Sequence, residues 1–118
     1  MSYSSLNSEA FYSEISESGK LWGIRDENGI PAPKTETGQR SMPFWSKKSR
    51  AEKIIHNVPA YGAFETFEIS VSEFIERWLP GLENDELLVG LNWSGKNATG
   101  YDSKPNMVLK SLKLRLAG

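Results

Sequence analysis

The chain predicts an α+β domain: a mixed, mainly antiparallel sheet with helices packed on it. Three observations carry that prediction. Helical and strand-like patterns alternate, in the order helix, hairpin, strand, helix, strand, helix, strand, helix. The helix that opens at Ser70 combines a capping signal, a complete apolar stripe and a stop. The run from Leu87 to Trp93 is almost continuously apolar, as a central strand covered on both faces requires.

Taken in order, Ser5 or Ser8 caps a first helix with Ala10, Phe11 and Ile15 at helical spacing, and Gly19 ends it. Leu21 to Arg25 is a strand, Glu27, Asn28 and Gly29 supply a turn, and Ile30 begins the return of a hairpin. Pro31 and Pro33 confine that return to a sheet edge, because proline offers no ladder donor. Residues 35–41 form a polar loop, and Met42 to Trp45 a short apolar strand. Ser46 caps the next helix, which reaches Asn57 with Ala51, Ile54, Ile55 and Val58 inside and Lys47, Lys48, Arg50 and Lys53 outside. Pro59 and Gly62 mark its exit. Phe67 and Ile69 then share one strand face, with Thr66 and Glu68 on the other.

Ser70 and Glu73 make a capping box, and Val71, Phe74, Ile75, Trp78 and Leu79 fall at i, i+3, i+4, i+7 and i+8. Pro80 and Gly81 end this helix. After the apolar strand, residues 94–100 form a loop. A terminal helix follows, capped by Ser103 with Pro105 in its first turn.

A chain of 118 residues without a repeat or a linker-like break is one domain, residues 1–118. The absence of cysteine excludes a disulfide framework, a thiol nucleophile and any thiolate-bound metal. The first residues carry no basic start and no apolar stretch, and no run approaches the ~20 residues that span a bilayer. The expectation is a soluble, cytoplasmic protein with no membrane contact. A net charge of −1 conceals blocks of about −3, +4, −6 and +4 over residues 1–33, 34–59, 60–95 and 96–118. Such blocks can make a signed surface that steers a charged partner.

Reaction chemistry is hard to find. His56 and Glu52 share a helical face, but two ligands are too few for a zinc site and no cysteine or second histidine completes the set, so no metal and no cofactor are expected. There is no G-x-S-x-G elbow and no phosphate-binding glycine loop. Asp26 with Glu27, or Asp85 with Glu86, are the carboxylate pairs from which a small hydrolase would be built, and both sit where turns favour acids anyway. Lys47, Lys48, Arg50 and Lys53 lie beside Phe44 and Trp45, a basic and aromatic neighbourhood. The acidic pI of about 5.9 and the apolar setting of these aromatics argue against direct nucleic-acid binding. Trp22, Trp45, Trp78 and Trp93 each fall on an apolar element and are expected in the core.

W-x-I-x-D-E-x-G (Trp22 to Gly29), P-F-W-S (Pro43 to Ser46), E-I-S-V-S-E-F-I-E-R-W-L-P-G-L (Glu68 to Leu82) and L-V-G-L-N-W (Leu88 to Trp93) together resemble a small bacterial family of unknown function over about residues 20–109. Families of this size and architecture are similar to the immunity proteins of polymorphic and contact-dependent toxin systems. That resemblance implies a non-catalytic, cytoplasmic protector that binds one cognate toxin domain, of nuclease type, and blocks it. The acidic segment suits such a role, since an acidic face mimics phosphate toward a basic nuclease surface. Glu73, Glu76, Glu83, Asp85 and Glu86 are the partner-binding positions this implies. An adaptor or regulatory module without a toxin partner is the alternative, and a carboxylate-dependent hydrolase a further one.

Overall fold

The computed structural model describes residues 3–96 and 98–117. Its elements are α1 (Tyr3–Ser18), β1 (Lys20–Arg25), β2 (Ser41–Phe44), α2 (Lys48–Asn57), β3 (Glu65–Ser70), α3 (residues 71–84), β4 (Leu88–Ser94), β5 (Thr99–Ser103) and α4 (Pro105–Ala117). β1 pairs antiparallel with β3, while β4 lies between a parallel β2 and an antiparallel β5. Trp22 and Trp45 exchange both backbone hydrogen bonds at 2.8 Å, an antiparallel bridge that links the two sheets. The spatial order is thus β3–β1–β2–β4–β5, the mixed, mainly antiparallel arrangement that the sequence predicts.

Two apolar clusters flank this sheet. Phe11 and Ile15 of α1, Phe74, Leu79 and Leu82 of α3, and Val108 and Leu112 of α4 pack on Leu21, Phe44, Val89 and Leu91. On the other side Ala51 and Ile54 of α2, with Val58, cover Ile24, Trp45 and Trp93. Alternation explains most of this sorting, since Val89 and Leu91 share one strand face. Trp93 breaks it. Strict period two would send Trp93 to the face of Leu91, but Asn92 adopts φ +52° and the β4–β5 register shifts between Leu91 and Ser94. The bulge turns Trp93 into the second core. Its ring then lies across Gly90 and Gly100, where an added Cβ would meet it at 2.5 and 3.0 Å.

Several elements differ from expectation, each for a physical reason. No return strand follows the turn at Glu27–Gly29; the turn closes on a single Asp26–Gly29 bridge, and donor-poor Pro31 and Pro33 leave β1 to pair with β3. Ser46 does not cap α2, which has Lys47 at its N-cap without a side-chain bond; the Ser46 hydroxyl is committed elsewhere. Arg50, expected outside, is part-buried and turns toward Glu14. Ser5 and Ser8 lie inside α1 rather than before it, whereas Gly19, at φ +76°, does terminate it. The expected loop over residues 94–100 contains Asn97, outside the described residues, but its end starts β5, which also absorbs Ser103. Pro105 begins α4.

The largest difference is at Pro80–Gly81, where α3 does not stop. A five-residue π turn, Phe74–Trp78, precedes the proline, and the Leu79 amide donates to the Phe74 carbonyl five residues back. Proline cannot donate and its ring crowds the carbonyl four residues earlier; a widened turn relieves that crowding and lets the helix run on to Asn84. At its start the Ser70 hydroxyl accepts from the Glu73 amide at 3.1 Å, as the capping pattern requires.

Candidate functional site

All five expected partner-binding acids are exposed. Glu73 lies in the first turn of α3 and Glu76 in its π turn, whereas Glu83, Asp85 and Glu86 gather at the other end. That end closes with a Schellman motif: the Leu87 amide donates to the Leu82 carbonyl at 2.9 Å, and the Glu86 amide to the Glu83 carbonyl at 3.1 Å. The residue between them must be left-handed, a place usually given to glycine; here it is Glu86, at φ +58°. Two hollows flank the turn. One, of about 230 Å³, is lined by Met42, Trp78, Leu82 and Leu87 with Arg77 and Asp85. The other, of about 350 Å³, carries Glu83 and Glu86 beside Leu87, Leu88 and Lys104. The first hollow is mainly apolar, edged by one acid and one base. The second is mainly polar, with Gln39 and Asn106 beside its two acids and one lysine. Glu73 and Glu76 border neither hollow.

The other chemistry-bearing candidates separate. Asp26 accepts from the Asn28 amide at 2.9 Å, the hydrogen bond of a turn-forming aspartate. Asp85 and Glu86 border different hollows and do not flank one cleft, as an acid/base pair must. His56 and Glu52 are both exposed, and among the described residues no group of three His, Asp or Glu converges on a metal position. Phe44 and Trp45 are fully buried and offer no face for a base.

The structure also assembles a polar knot that no local motif announces. Ser46, 1% exposed, donates its hydroxyl to Glu14 and its amide to Asn92 Oδ1 at 2.9 Å, while Asn92 Nδ2 donates back to the Ser46 hydroxyl at 2.9 Å. Arg50 grips Glu14 with two bonds, at 2.9 and 3.1 Å. Burial pushes the Glu14 carboxyl up, but the hydrogen bonds from Arg50 and Ser46 and the charges of Arg50 and Lys47 outweigh it and hold it below its ordinary value. A serine beside a carboxylate suggests a nucleophile, yet this hydroxyl is sealed from solvent. Its geometry instead fastens α1 to the β2–α2 junction and to the bulge of β4. The partners lie 32 and 46 residues apart in the chain, which is why sequence spacing cannot reveal them.

A groove of about 620 Å³ lies over the β4–β5 face, bounded by Pro33 to Thr37, Tyr61, Trp93, Gly100 and Asp102. The strand glycines were the available sequence signal, since glycine within a strand marks close approach of another group. It touches the acidic end of α3 through Leu88, which borders both the groove and the hollow carrying Glu83 and Glu86.

No curated protein sequence matches the chain. Among solved structures, Anabaena Tic22 (protein transport) is similar with a TM-score of 0.40 and 15% identity, over 66% of this chain and 44% of that one. The chain thus spans less than half of that structure. The family match is more extensive: it runs over residues 8–112, from within α1 to within α4, and so takes in more of both terminal helices than the sequence motifs alone indicate. On that match the chain belongs to the family described as a protein of unknown function, DUF2750.

Proposed function

We propose that the protein is a non-catalytic, cytoplasmic immunity protein that neutralises a cognate bacterial toxin domain of nuclease type, docking through the acidic end of α3. The observation that carries this reading is Glu86 in a left-handed cap with Glu83 and Asp85 beside it, next to an apolar hollow lined by Met42, Trp78, Leu82 and Leu87. An apolar centre edged by charge is the usual anatomy of a specific protein interface. A charged residue kept at a backbone position that favours glycine suggests that its side chain is needed there. The acids would speed encounter with a basic surface, while the apolar hollow would supply the lasting contact.

Glu73 and Glu76, at the far end of the same helix, would add to the field rather than to the contact. The test is titration of the toxin-type domain encoded beside this protein's gene with wild-type protein and with E83K/D85K/E86K. The exposed positions of these side chains should leave the fold intact. Binding that collapses on charge reversal supports the proposal. Undiminished binding moves the interface elsewhere, and no binding removes the toxin reading.

A further inference from the structure

The groove over β4–β5 holds a carboxylate with one oxygen engaged and one open. Asp102 Oδ1 accepts from the Ser41 hydroxyl at 2.6 Å and from the Trp93 indole N–H at 3.1 Å. Both donors are fixed, Ser41 being fully buried and Trp93 5% exposed. Among the described residues nothing bonds Asp102 Oδ2, and Asp102 borders the groove. Tyr61, held edge-on against Phe64 at 5.3 Å, supplies an aromatic wall, while Trp93, 5% exposed, meets the groove only at its rim. The charged lining is Asp102 and Glu36 against Lys34, a formal charge of −1.

We propose that this groove binds an alkylammonium group, the side chain of a lysine or a free primary amine of that length, with its charge on Asp102 Oδ2 and its methylenes against Tyr61. The sign follows from the lining, and aromatic faces attract cations further. The choice of ammonium over guanidinium follows from the occupied oxygen. A guanidinium gains its advantage from two parallel bonds to a carboxylate, and Oδ1 already has two donors; an ammonium is a point charge that needs one strong acceptor. A volume of about 620 Å³ is far larger than a bare ion needs and lies in the range of about 300–1,000 Å³ usual for organic ligands. This site stands whether or not the acidic end of α3 meets a toxin.

The experiment is a nitrogen–proton NMR titration of the full chain, following the Trp93 indole N–H, identified by its loss in W93F. The probes are N-acetyl-lysine methylamide, its arginine and norleucine counterparts, and n-butylamine. The lysine compound should shift this resonance saturably, the arginine compound should bind several-fold more weakly, and the norleucine compound should not compete. D102N retains an oxygen for Ser41 and Trp93 but removes the charge, and should weaken lysine binding by at least about tenfold with the folded spectrum preserved. Should D102N fail to fold, Y61A provides the same comparison through the aromatic wall. Butylamine binding as tightly as the lysine compound would make the amine alone the guest; weaker butylamine binding would make it a lysine within a peptide. Norleucine binding equal to lysine, undiminished binding by D102N or by Y61A, or no saturable shift with any probe would each overturn the proposal.

Discussion

Replacing Glu86 with glycine should stabilise this protein, although it deletes an acidic side chain and loosens the chain. Glu86 occupies φ +58° at the Schellman position of α3. For a residue with a Cβ, the left-handed region costs about 1–2 kcal/mol, and glycine removes that cost. Against this, glycine raises the entropy of the unfolded chain, a loss of about 0.4–1 kcal/mol. The net gain is about 0.5–1 kcal/mol. An unfolding entropy of about 2.1 cal/mol/K per residue over 118 residues is about 0.25 kcal/mol/K, so the gain becomes about 2–4 °C in Tm. Part of any gain could come from removing a negative charge near the negative end of the helix dipole. E86A isolates that part, because alanine loses the charge and keeps the strain. Calorimetry of wild type, E86A and E86G therefore decides the matter. E86G melting clearly above E86A is the expected result; E86G at or below E86A would refute the account of this cap.

Three further outcomes follow from the packing. N92A leaves the buried Ser46 amide without the acceptor it has at 2.9 Å and should cost about 2–4 kcal/mol in urea unfolding. G90A places a Cβ at 2.5 Å from the Trp93 ring and should cost about 2 kcal/mol or more, with a changed Trp93 indole signal; a neutral G90A would mean the ring is free to move. Glu14 titrates below its ordinary value of 4.5 in the folded protein, so its contribution is complete above that pH and disappears as pH falls through the depressed folded value. E14Q should accordingly flatten the acid side of the stability profile, and an equally steep profile in E14Q would assign the acid loss to other groups.

Residues close in sequence made much of this fold legible. The stripe Val71, Phe74, Ile75, Trp78 and Leu79, the Ser70 cap and the Gly19 stop are local patterns, and each is realised. The apolar run at β4 is central, between β2 and β5, as its composition demands. What the pattern misses depends on contacts made across the chain. The expected stop at Pro80 weighs the proline alone and not the π turn that accommodates it. Ser46 resembles a cap because serine before a helix usually is one, but distant partners on α1 and β4 claim its hydroxyl. β5 is short and carries Gly100 and Asp102, residues poor in strand propensity, and β4 holds it in place through pairing. At the candidate surface, the sequence identifies the acids but not their division. Only the completed helix brings Glu83, Asp85 and Glu86 to one end, beside two hollows that meet at Leu87, while Glu73 and Glu76 stand apart.

The acidic end of α3 is proposed as a docking surface for a basic toxin domain. The most direct measurement is the affinity and association rate of wild type and E83K/D85K/E86K for the toxin-type domain encoded beside the gene, at low and at physiological salt. The account predicts tight wild-type binding with an association rate that falls as salt rises, and a loss of about a hundredfold or more in affinity on charge reversal. Equal affinity of the two proteins, or no complex with wild type at either salt concentration, would contradict it.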